Sequence, residues 1–138
     1  MSGRRRDHEF RLFEWTMSLV MIGISFNIAF DPSSVPKGGF YLLENVWLTS
    51  SVLIVVFLFA GAARLSCLYA NGRWPHIGPW CRVVCSASGA LVWGEMALSL
   101  FQWSAQTGYH SIGVPVYFFL AIGEIISCFR AVRDGGSN

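Results

Sequence analysis

Five ionisable side chains stand inside stretches that are otherwise apolar: Glu14, Arg64, Arg82, Glu95 and Glu124. An unpaired charge in hydrocarbon is costly, so such groups either pair with one another or serve a function. Helix rise sets their depths. Arg64 lies seven residues before Asn71, about 10 Å from the end of its segment. Glu124 lies six residues before Arg130, about 9 Å from the end of its own. The two share a depth, which predicts an interhelical ion pair that fixes packing, with the shallower Glu14 or Arg82 assisting. A proton- or ion-linked site is the sharper alternative, and nothing in the spacing favours it.

Glu95 differs. It follows Arg82 by thirteen residues, about 20 Å along the same helix, at a depth with no Lys or Arg. Its possible partners are hydroxyls, amides or His110. It reads either as a protonated or hydrogen-bonded acid in a protein interface, or as the lining of a polar pathway or oligomer axis. On the same segment Ser86, Ala90 and Gly94 recur every fourth residue, a small-residue stripe that lets another helix approach. Bordering that stripe, Glu95 is expected to face protein.

Other chemistry is sparse. Cys81 and Cys85 share a helix face, with Cys67 and Cys128 toward the same side. The second close pair of a zinc ribbon is missing, so buried thiols are expected, with neither metal nor cofactor. There is no Gly-rich phosphate loop, no HExxH, no nucleophile elbow and no CxxC, so the chain reads as a non-enzyme. His76 and His110 fall in loops, and His8 sits in a charged tail. Arg4, Arg5 and Arg6 suit anchoring beside anionic headgroups and form too short a run for nucleic acid.

The elements that must position these groups follow from composition. Of 138 residues 54% are hydrophobic and only 13% charged, with mean hydropathy +0.49. A soluble domain carries about a quarter charged residues, so a soluble enzyme, a disordered regulator and a nucleic-acid binder are excluded as default readings. Residues 15–30 carry no charge, nor do residues 45–63. Further apolar stretches cover 81–103, broken by Arg82 and Glu95, and 112–129, broken by Glu124. Asp31-Pro32 and Asn71-Gly72 punctuate them. About 20 helical residues cross a bilayer. The expectation is therefore an all-α integral membrane protein, a four-helix transmembrane bundle forming one domain over 1–138. Its spans fall near 12–30, 45–70, 81–103 and 112–130, joined by loops of about 8 to 14 residues.

With the N-terminus inside, nine of the ten basic residues fall on the cytoplasmic side, and only Lys37 lies outside. The positive-inside rule then places both termini in the cytoplasm. Trp15, Trp74 and Trp80 would mark the inner boundary and Trp47 and Trp103 the outer one, with Trp93 in mid-span. The acidic Asp7, Glu9 and Glu14 and the poor cleavage site Asn27-x-Ala29 favour an uncleaved first span over a signal peptide.

Three stretches carry a resemblance. Ala63-Arg64-Leu65 leads through Leu68-Tyr69 to Asn71-Gly72-Arg73-Trp74. Gly113-Val114 is followed by Val116-Tyr117, Leu120-Ala121, Glu124 and Ser127. The chain then closes on Phe129-Arg130-Ala131 and Arg133-Asp134. Over roughly residues 45–134 this pattern resembles small four-helix membrane proteins encoded by tailed bacteriophages. The resemblance implies a phage product in a bacterial inner membrane, with Arg64, Asn71, Arg73, Trp74, Glu124 and Arg130 as an inner-face signature, and it implies no activity. The leading expectation is a non-enzymatic protein that self-assembles or docks on host membrane proteins through the inner loop at Asn71, Arg73 and Trp74. A holin-like or channel-like permeability protein is the first alternative, and a small proton-coupled transporter the second.

Overall fold

In the computed structural model the backbone is described for residues 3–34, 38–40, 49–71 and 78–136, and side chains for 12–33, 38–40, 49–69 and 78–135. The elements are α1 (Gly3–Phe30), a 3-10 turn at Pro32–Ser34, α2 (Ser50–Asn71), α3 (Gly78–Thr107) and α4 (Gly113–Gly136). All four α-helices are long and apolar enough to cross a membrane, over Leu12–Phe30, Ser50–Tyr69, Gly78–Thr107 and Gly113–Gly135.

Local chemistry sets the boundaries. α1 stops where Asp31 Oδ1 accepts the Ser33 N–H at 3.0 Å and the Ser33 hydroxyl at 2.5 Å, a turn that competes with further helix. α2 opens at Thr49, whose carbonyl accepts from the N–H groups of Val52 and Leu53 at 3.0 and 3.1 Å. α3 ends at Gly108, which takes a left-handed φ of +71° and donates its N–H to the Ser104 carbonyl at 2.9 Å. A glycine accepts that conformation without steric penalty. Pro79 and Pro115 each sit in a first turn, where no intrahelical N–H is missed.

The helices differ in extent from the expected spans. α3 runs past 103 because Ser104, Gln106 and Thr107 do not break a helix, and Gly108 does. The connection to α4 is therefore only five residues, 108–112. That connection is shorter than the expected 8 to 14 residues. α2 begins at Ser50, and positions 45–48, which the apolar pattern assigned to it, lie outside the described residues.

α1 packs along α2 and α3 along α4, and the two hairpins meet mainly through α2 and α3. Buried positions step by threes and fours: Glu14, Ser18, Met21, Ser25 and Ile28 on α1, and Arg82, Ser86, Gly89, Trp93, Met96 and Leu100 on α3. That spacing, close to 3.5 residues on average, holds one face of each helix toward the interior. Phe57 and Trp93 fill the middle with ring centroids 6.2 Å apart, and Tyr117 stacks on Trp93 at 5.7 Å. Small residues allow the closest approaches. A Cβ on Gly61 would stand 2.6 Å from Ile22 and 2.9 Å from the Ser18 carbonyl, and one on Gly123 would meet the Phe13 ring at 2.6 Å. Large apolar side chains such as Phe59, Leu91, Phe119 and Phe129 point outward, the surface expected of helices apolar enough to cross a membrane.

Candidate functional site

The charged side chains gather toward the end of the bundle that carries both termini, and they tie all four helices together. Arg64 on α2 donates from Nη1 to Oε1 of Glu124 on α4, and both residues are buried. α3 makes room for this pair. A Cβ on Gly89 would lie 3.0 Å from the Glu124 carboxyl carbon and 3.2 Å from Arg64 Nη1. The pair is single-stranded: Arg64 Nη2 and Glu124 Oε2 find no hydrogen-bond partner among the described residues, and neither does the Trp93 indole N–H.

Glu14 on α1 meets Arg82 on α3 in a two-bond fork, Nε to Oε2 at 3.1 Å and Nη2 to Oε1 at 2.7 Å. Arg82 Nη1 also reaches Asp134 Oδ2 on α4 at 3.1 Å. Bidentate guanidinium–carboxylate geometry is the stronger arrangement. Glu14 and Arg82 therefore form a pair of their own and do not assist the Arg64–Glu124 pair. In chemical terms the cluster holds helices together by neutralising charge within the span.

Glu95 stands apart, thirteen residues beyond Arg82 on α3 and outside these ion pairs. Ser99, one turn on, donates its hydroxyl to Oε1 at 2.5 Å. Oε2 is buried and has no partner among the described residues. Glu95 lines a groove of about 450 Å³ between α2 and α3, whose other described walls, including Leu53, Val56, Phe57, Leu91 and Val92, are apolar. His110 is exposed in the 108–112 connection, and Ser99 is the hydroxyl partner.

The Ser86–Ala90–Gly94 stripe is only partly a contact. Ser86 is buried and Ala90 half-buried, while a Cβ on Gly94 would meet nothing within 4 Å. A repeat of four drifts around the helix, about 80° over eight residues at 100° per residue. The positions that stay inside are Ser86, Gly89 and Trp93. Asn71 closes α2, but its side chain and all of Arg73 and Trp74 lie outside the described residues, as do Trp47 and His76. The Cys85 thiol approaches Cys67 to 3.5 Å, and Cys128 approaches the Val83 carbonyl at 3.8 Å. Among the described residues no group of three His, Cys, Asp or Glu side chains is placed to hold a metal ion.

Gly89, Asp134 and Ser99 were not singled out by residue type and spacing. Ser99 carried a readable signal, a hydroxyl four residues after an unpaired acid. Gly89 and Asp134 matter only through contacts between distant helices. Comparison of the chain with protein-family models, with curated proteins and with solved structures finds no match.

Proposed function

We propose that this four-helix, multi-pass chain is a phage-encoded, non-enzymatic protein of a bacterial inner membrane that acts by assembling with itself or by binding a host membrane protein. The observation that supports this reading is how the span's charges are used. Glu14, Arg64, Arg82 and Glu124 are engaged with one another between helices, which suits a fixed scaffold more than a turnover site. The outward faces of α2 and α4 are apolar, with Val55, Phe59, Phe118 and Phe119 exposed. In a bilayer those faces meet either lipid or another apolar helix.

The test is the copy number of the purified protein in lipid nanodiscs, together with capture of host membrane proteins by wild type and by an Asn71→Ala, Arg73→Ala, Trp74→Ala variant. A defined oligomer, or a specific host protein lost in the variant, supports the reading. A monomer that captures nothing specific overturns it. Rapid depolarisation on expression in a bacterium would instead favour the holin-like alternative.

A further inference from the structure

We propose that the groove between α2 and α3 is a binding site for a lipophilic amine, whose protonated nitrogen pairs with Glu95. This goes beyond the assembly reading and does not depend on it.

The groove's size and lining define the ligand. Its volume of about 450 Å³ falls in the range of small-molecule sites, which are mostly apolar with a few placed polar groups. Leu53, Val56 and Phe57 form one wall and Leu91 and Val92 the other, and Glu95 is the one polar side chain among the described lining residues. These walls favour an alkyl or aryl body.

Glu95 then specifies the head group. Oε1 already accepts the Ser99 hydroxyl, and Oε2 is buried without a donor among the described residues. A buried carboxylate oxygen with no donor is costly. The guanidinium groups of Arg64 and Arg82 are engaged with Glu124, Glu14 and Asp134. A donor from the ligand would complete the carboxyl group, and a cationic N–H makes the strong, charge-assisted form of that bond. An inorganic cation fits poorly, because hard ions need several oxygen ligands and the described walls offer one carboxylate. A fatty acid or a neutral acyl chain would bring a like charge or no donor at all. The groove is open on one side, so a membrane-dissolved amine has a route to it.

The experiment is equilibrium binding of tritiated propranolol, an aryl-alkyl secondary amine, to the full chain in phosphatidylcholine nanodiscs, with empty discs subtracted. The expected result is saturable binding at one site per chain that 1-naphthol, an aryl analogue without the amine, does not compete. Glu95→Gln should weaken binding by about tenfold or more, the loss expected for one charge-assisted hydrogen bond. Leu91→Trp keeps the carboxylate but fills the groove, and should also abolish binding. Thermal unfolding of both variants separates loss of the site from loss of the fold. If Glu95→Gln does not fold, Leu91→Trp and the naphthol competition still decide. Three results overturn the proposal: no saturable binding, competition by 1-naphthol equal to that of the amine, or full affinity in folded Glu95→Gln. A groove filled by a second copy of the chain would give discs holding two chains and no saturable binding, which also overturns it.

Discussion

At Gly89 the α3 backbone passes so close to the Arg64–Glu124 pair that an added methyl would stand 3.0 Å from the carboxyl carbon. Either the pair or the helix must then shift. Gly89→Ala is expected to destabilise the protein by about 1–3 kcal/mol, the usual range for overpacking, as read by thermal unfolding in detergent. The pair itself answers to a double-mutant cycle. Arg64→Leu leaves Glu124 buried without its partner and should cost about 3–5 kcal/mol, while adding Glu124→Leu should restore part of the loss. Equal stability across the set would remove the pair from any structural role. Asp134 is the contrasting case, with its side chain 57% exposed. Asp134→Asn should change stability by no more than about 1 kcal/mol, because solvent screens the bond to Arg82.

Among the helices, the contact between α1 and α2 depends on Gly61, where a Cβ would press on both the Ile22 side chain and the Ser18 backbone. Ser25 adds a bond across the same interface, its hydroxyl donating to the Ile54 carbonyl at 3.0 Å. Backbone cannot yield as a side chain tip can. Gly61→Ala should therefore separate α1 from α2 and lower the unfolding temperature, whereas Gly94→Ala, placed in open space within α3, should leave it the same or raise it slightly. Measuring both glycines side by side distinguishes a contact position from a merely small one. The 3.5 Å approach of Cys67 and Cys85 offers a check on the α2–α3 pairing. Mild oxidation should link these helices, so that the halves stay together after the chain is cut within 72–77.

Over the whole molecule, two helical hairpins are joined by charge at the terminal end, by aromatic rings in the middle, and are parted by the groove beside Glu95. Four spans place both termini on the same side of a membrane, and the distribution of basic residues predicts that this side is the cytoplasm. Reporter fusions at each terminus should both give the cytoplasmic signal, and opposite signals would remove the four-span topology. Glu95→Gln should leave insertion intact, measured as the fraction retained in carbonate-washed membranes, because Glu95 takes no part in the three ion pairs.

Hydropathy and charge spacing by themselves determined the helical class, the number of apolar spans and the shared depth of Arg64 and Glu124. These properties are written along one dimension: apolar residues per turn, and rise per residue. The breaks at Asp31-Pro32 and Asn71 were legible for the same reason, since turn chemistry is local. Only the tertiary structure decided that Arg82 belongs to Glu14, that on α3 Gly89 and not Gly94 sits at a contact, and that Glu95 lines an apolar groove. Each depends on the rotation of one helix against another. At 100° per residue a repeat of four gains about 80° over eight residues while an alternation of three and four loses about 20° over seven, and that divergence settles which side chains meet.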